Sequence, residues 1–316
     1  MKAAVLGAGL GTRLQPLTDI CPKPLWPVLN RPLLGVVLAQ LEAAGCFQVA
    51  VNTHHLAGQV HDFLRAEPWS FLLSVSHEPE ILGTGGGLRQ LGEILGEGPF
   101  LAINADILTD LDLAEVYRAH PSGAVSTLAL HDCPAYNNVW VAGDRVVSIG
   151  AAPPGGRADA RPLAYTGVQV VDRKIFRYLP AQGPYDLVQA WREALQAGER
   201  LAYHTVLGHF WQDLGTPANY LTAHRRLLAG ASPKLAAYFP GLTDPLTGPG
   251  ARIGAGVRFG GGVCLGSNVT VGEGAALKNT VVWDRAAIRA NVELEDCIVA
   301  TGVEVKDSAR GRVLVA

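Results

Sequence analysis

The stretch Lys2-Ala3-Ala4-Val5-Leu6-Gly7-Ala8-Gly9-Leu10-Gly11-Thr12-Arg13 starts as a short apolar run and breaks into a glycine-rich turn. Ala3–Leu6 reads as a buried strand, because an uninterrupted apolar run of this length suits a strand covered on both faces. Gly7, Gly9 and Gly11 let a backbone approach a ligand, having no Cβ in the way. Successive amide N–H groups in such a turn make a concave site for anions. Arg13 closes the turn, and Lys23 follows between Pro22 and Pro24. A glycine turn beside an arginine and a pinned lysine points to a triphosphate.

Two familiar phosphate loops do not fit. A P-loop places a lysine directly after its last glycine, and none stands there. A dinucleotide fingerprint puts its third glycine at position 12, which is Thr12, and wants an acidic residue where the second strand ends in Asn52. The opening run is too short and too broken by glycine for a secretory leader.

Working outward, strand patterns at Ala3–Leu6, Gln48–Asn52, Leu72–Ser76, Phe100–Asn104 and Ala124–Leu130 alternate with helical patterns at Leu33–Ala44, Gly58–Arg65 and Gly86–Leu95. That alternation predicts an α/β, Rossmann-like domain over 1–229: a mostly parallel sheet with helices on both faces. In such sheets ligands bind beyond the carboxyl ends of the strands, where Gly7–Arg13 and Asp106 fall. Residues 230–249, rich in Gly, Pro, Ser and Thr, read as a linker. Over 250–316 a six-residue period appears: Ile253, Phe259, Leu265, Val271 and Leu277, with a second register at Val257, Val263, Val269, Ala275 and Val281. Such a period is the mark of a parallel β-helix. Ile288, Leu294 and Val305 drift out of phase, so a short helix is expected.

Composition narrows the function. The chain has 316 residues and a formal net charge of −2, so no basic field is present to hold nucleic acid. No run approaches the length of a membrane span. Cys21, Cys46, Cys133, Cys264 and Cys297 form no C-x-x-C pair, which fits reduced thiols in a cytoplasmic protein better than a zinc site.

Gly9-Leu10-Gly11-Thr12-Arg13-Leu14 with Pro16-Leu17-Thr18 and Pro22-Lys23-Pro24-Leu25 resembles the signature of the sugar-1-phosphate nucleotidyltransferases. The likeness continues through Leu82-Gly83-Thr84-Gly85-Gly86, Asn104-Ala105-Asp106, Thr166-Gly167 and Trp211-Gln212-Asp213-Leu214-Gly215-Thr216, about the first 225 residues. The C-terminal repeat resembles the left-handed hexapeptide helix of many members. The resemblance implies that a sugar-1-phosphate oxygen attacks the α-phosphorus of an NTP and releases pyrophosphate. Positioning and cationic stabilisation dominate such a transfer, and an already ionised nucleophile needs no base.

The same resemblance distributes roles. Arg13 and Lys23 are the catalytic cations, Arg13 through a planar fork suited to phosphate and Lys23 as a point charge. Leu6, Gly7, Ala8, Gly9, Gly11, Thr12, Arg13, Glu78 and Gly83 bind the nucleotide. Asn137 and Gly167 bind the sugar, and Asp106 and Asp213 hold Mg2+. Asp110 and Asp112 read as turn or N-cap residues, and a solvated loop is the plain alternative for Glu78.

Two segments depart from the family. Ser148–Gly156 lacks the Glu-Lys-Pro that many members carry, and Tyr136-Asn137-Asn138 replaces a common Tyr-Gly. The 83–87 glycine run looks like the N-acetylmuramate-1-phosphate uridylyltransferases. Ser76–Glu80 and the appended repeat look like the mannose-1-phosphate guanylyltransferases. Nucleotide and sugar stay open between UTP with N-acetylmuramate-1-phosphate and GTP with mannose-1-phosphate. The C-terminal coils are expected to carry homo-oligomerisation. An inactive sugar-nucleotide sensor is the alternative that intact Arg13, Lys23, Asp106 and Asp213 oppose. Acyl transfer on the coils is disfavoured because no histidine follows His224.

Overall fold

A computed structural model describes residues 1–153 and 156–315. The departing segment 148–156 therefore runs in part outside the described residues. The chain forms two compact units that do not follow chain order. The first holds Met1–Leu10, Val37–Ile107 and Leu111–His209; the second holds Gly11–Val36, Leu108–Asp110 and Phe210 onward.

The first unit is built on a nine-stranded sheet. Its strands are β1 (Lys2–Leu6), β2 (Gln48–Thr53), β3 (Leu72–His77), β4 (Phe100–Asn104), β5 (Ser126–His131), β6 (Val139–Ala142), β7 (Arg145–Ile149), β8 (Arg161–Val171) and β9 (Leu201–Thr205). They lie in the order β3-β2-β1-β4-β8-β5-β9-β7-β6. The pairs β3–β2, β2–β1, β1–β4 and β5–β9 are parallel, while β8 runs against β4, β5 and β6. The sheet is thus mixed, its parallel part being the β3-β2-β1-β4 half. Ala3, Ala4 and Val5 of β1 are wholly buried, as a central strand covered on both faces requires. Helix α3 (Gly83–Leu95) packs on β1 and β2 and against α5 (Leu187–Gln196), which starts where Asp186 accepts from the Val188 amide at 2.9 Å. Leu88, Leu91, Phe100, Leu128, Ile175 and Trp191 lie in the core of this unit.

In the second unit, pairs of short strands stack into coils from Leu246–Thr247 to Val313–Leu314, forming three parallel faces. Leu246 pairs with Cys264, Arg252 with Thr270 and Arg258 with Ala276, so the first full coil takes 18 residues. The next pairings, Cys264 with Val281 and Val281 with Ile298, are 17 apart, and Ile298 with Val313 is 15 apart. Residues drop out mainly at one corner, the one occupied in turn by Gly262, Asn279, Asp296 and Gly311, each with φ between 44° and 78°. The out-of-phase positions Ile288, Leu294 and Val305 are buried strand residues of this stack, so the periodicity drifts while the coils continue. The 230–249 stretch is packed rather than free. Ser232 caps a short helix, Pro233–Ala236, Leu235 and Phe239 are buried, and Leu246 already belongs to the first coil.

Candidate active site

In the first unit, four parallel strands end in line. Leu6 lies opposite Asn52 and Asn104, and Asn52 lies opposite Ser76. Gly7, Glu78, Ala105 and Asp106 therefore follow the carboxyl ends of adjacent strands, and the Ala105 amide donates to Leu6 O at 2.9 Å. This is where open α/β sheets bind ligands. Gly9 has nothing within 4 Å of where a Cβ would stand, so packing does not demand the glycine.

Glu78 is not solvated: it is 1% exposed. Its Oε1 accepts from Asn52 Nδ2 at 2.7 Å and its Oε2 from the Leu82 amide at 2.9 Å. Asn52 Oδ1 in turn accepts from the Gly7 amide at 2.7 Å. One buried carboxylate thus ties the phosphate turn to the start of α3. The sequence reading passed over Asn52; an amide where dinucleotide folds place an acid was the available signal. The glycines of α3 serve this packing. A Cβ on Gly87 would lie 2.5 Å from Asn52 Nδ2, and one on Gly83 would lie 2.7 Å from Tyr185 O.

Gly167 sits in a bulge of β8, between the registered pairs Tyr165–Leu130 and Gln169–Leu128, with φ +85°. A Cβ there would stand 2.8 Å from Ile107 Cγ1. Asn137 holds its own turn: its Oδ1 accepts from the Cys133 amide at 2.9 Å and its Nδ2 donates to Asp132 Oδ1 at 2.7 Å.

The second unit carries Gly11, Thr12, Arg13, Lys23 and Asp213. Gly11 adopts φ +64°, and a Cβ on it would lie 2.9 Å from Thr18 Cγ2 and 3.7 Å from Lys23 Cβ, so only glycine fits. Arg13 is exposed, whereas Lys23 is 8% exposed in a single turn, Lys23–Leu25. Trp211–Asp213 is braced from α6 (Pro217–Leu228): Arg226 stacks over Phe210 at 4.3 Å and donates to Trp211 O at 3.2 Å. Thr216 caps α6 by accepting from the Asn219 amide at 3.2 Å, and Pro217 sets its first turn. Gly215 lies between. A Cβ there would stand 2.8 Å from Arg13 Nη2 and 2.8 and 2.9 Å from the two Asp213 carboxylate oxygens. The missing side chain lets a guanidinium and a carboxylate gather on one spot.

Asp112 caps a helix, as expected, accepting from the Glu115 amide at 2.9 Å. Asp110 does something else. Its carboxylate accepts from the Phe210 amide and from Ser232 Oγ, both at 2.6 Å, and so anchors the approach to Asp213. The donors that Asp106 and Asp213 offer are carboxylate oxygens, the type that magnesium takes. Among the described residues no three His, Cys, Asp or Glu side chains are grouped to hold a metal. An ion held by one or two carboxylates plus substrate phosphates needs no such cage.

A family model described as nucleotidyl transferase matches residues 2–230. The chain is 38% identical over 125 residues to an N-acetylmuramate alpha-1-phosphate uridylyltransferase of Neisseria meningitidis, a match covering 39% of this chain and 54% of that one. It is 31% identical over 313 residues to a mannose-1-phosphate guanylyltransferase catalytic subunit beta of Danio rerio, covering 95% and 86%. HddC from Yersinia pseudotuberculosis, solved in complex with GMP-PN, superposes with a TM-score of 0.59 over 70% of this chain and 97% of its own, at 21% identity. That likeness is one of fold. With the glycine turn, the aligned strand ends and the Arg13–Gly215–Asp213 cluster in place, the match over residues 2–230 shows that this chain belongs to the nucleotidyl transferase family.

Proposed function

We propose that this protein transfers a nucleoside monophosphate from an NTP to a sugar-1-phosphate. A phosphate oxygen of the sugar-1-phosphate bonds to the α-phosphorus, the bond to the β-phosphate oxygen breaks, and pyrophosphate leaves. The observation that carries this reading is the packing around Gly215, which places Arg13 Nη2 and the Asp213 carboxylate within 3 Å of one point. Such a cation and carboxylate pair suits a triphosphate and its metal. Arg13 binds the leaving phosphates, and Lys23 neutralises charge that builds on the α-phosphate and the sugar phosphate. Asp106 and Asp213 hold magnesium, which when bound screens the phosphate charges. The Leu6 and Gly7 backbone and Gly83 meet the base. Glu78 acts on it through Asn52 and the Gly7 amide. Gly167 offers its amide to the sugar, outside the strand ladder.

A matrix of ATP, GTP, UTP, CTP and dTTP against sugar-1-phosphates, including mannose-1-phosphate and N-acetylmuramate-1-phosphate, tests the proposal by pyrophosphate release. One pair should turn over well above the others, and only with magnesium. Silence across the whole matrix sinks the reaction.

A further inference from the structure

The turn that carries Lys23 leads directly into a segment tied to the C-terminal coils. Trp26, 1% exposed, closes that turn by donating from Nε1 to Cys21 O at 3.2 Å. Its indole meets Tyr220 of α6 edge-on at 5.2 Å and Trp283 of the coils at 5.6 Å. Trp283 Nε1 donates to Tyr220 Oη at 3.1 Å, and Tyr220 Oη donates to Pro27 O. Three further bonds follow along the chain. The Leu29 amide donates to His224 Nε2 at 3.1 Å, Asn30 Nδ2 to Leu265 O at 2.8 Å, and Arg31 Nη1 to Tyr238 O at 2.6 Å. Every contact here lies inside the second unit.

We infer that the C-terminal coils hold the Lys23 turn in its working position, with Trp283 and Tyr220 as positioning residues. This rests on the reading of Lys23 as a phosphate-contacting cation. A lysine on a flexible stem loses rate when its backbone shifts, because a displacement of about 1 Å can cost on the order of a hundredfold. A chain of indole N–H, phenol and carbonyl is directional in a way that apolar contact is not. It fixes the distance from the coil to Pro27, four residues after Lys23. The coils therefore act within the chain, whether or not they also join copies of it.

The test compares Trp283→Leu, Trp283→Phe and Tyr220→Phe with Ile298→Ala, which opens space in a coil away from Trp26. Lys23 reactivity is read without substrates, by acetylation with an N-hydroxysuccinimide ester and peptide mass spectrometry. Steady-state kcat and KM are measured beside it. Trp283→Leu should raise Lys23 acetylation on the order of tenfold. It should lower kcat by about tenfold or more while the NTP KM changes by less than about threefold. The two phenylalanine variants keep the ring and should fall between. Ile298→Ala should leave acetylation at the parent level. Parent-level acetylation in Trp283→Leu, or an equal rise in Ile298→Ala, overturns the inference. Acetylation needs no turnover, so an inactive parent would sink only the reaction, not the scaffold.

Discussion

Asn52 donates to the Glu78 carboxylate at 2.7 Å while its carbonyl accepts from the Gly7 amide, so one side chain fixes both the phosphate turn and a buried charge. Replacing Asn52 by Asp keeps the acceptor for Gly7 but sets two carboxylates against each other in a site that is almost fully buried. Asn52→Asp should lose about 2 kcal/mol or more at pH 8. The loss should shrink towards pH 5, because the pair then shares a proton and its raised pKa favours the folded state at lower pH. Urea midpoints at the two pH values decide this; an equal deficit at both refutes it.

Gly215→Ala separates stability from activity. The new Cβ meets the far ends of Arg13 and Asp213, which swing aside more cheaply than backbone would. Melting should change by less than about 1 kcal/mol, as for substitutions clear of the core. Turnover should drop about ten- to a hundredfold because both groups are displaced. Parent-level kcat in Gly215→Ala rules out the proposed pairing.

Lys23→Ala and Asp106→Ala should each lower kcat by about a hundredfold or more, the scale of losing one preorganised electrostatic group. Both variants should remain folded by circular dichroism. Near-parent pyrophosphate release by either one removes that residue from the chemistry.

His224 gives a pH signature in stability. It is wholly buried, donates from Nδ1 to Tyr220 O at 2.9 Å and accepts at Nε2, so the neutral ring is the folded form. Burial lowers its pKa from 6.5 to about 4. Below pH 6.5 the unfolded chain takes up a proton that the folded chain refuses, so stability falls between pH 6.5 and 4 and levels off beneath. The contribution amounts to roughly 3 kcal/mol at about 1.4 kcal/mol per pH unit. His131 is likewise held near 4, chiefly by burial and then by His209, so the parent carries both slopes. His224→Gln should flatten the curve by about half; an unchanged slope excludes His224 as a source.

Local signals reached far. The strands at 2–6, 48–53, 72–77 and 100–104 stand in one sheet as their apolar runs require. The glycine turn and Asp106 fall at aligned strand ends, as the alternation of strands and helices implies. What escaped was non-local. No periodicity in Gly11–Val36 reports that it clusters with coils more than 200 residues later, because hydrogen bonds such as Asn30 to Leu265 leave no pattern along the chain. Asp110 looked like any turn aspartate until Phe210 and Ser232 were brought to it. Asn137 is a similar case, its amide spent on Asp132 and Cys133.

The coil corner that runs through Gly262, Asn279, Asp296 and Gly311 acts as a seam for changes in length. From the first face to the second, each coil advances by the same six residues, as at Leu246 to Arg252 and Ile298 to Glu304. The return to the first face shrinks from six, Arg258 to Cys264, to four, Ala309 to Val313. A single-residue loss elsewhere would turn buried side chains outward. Here it only tightens a left-handed bend. Lineages of this chain can gain or lose residues along that one edge while the apolar interior stays in register.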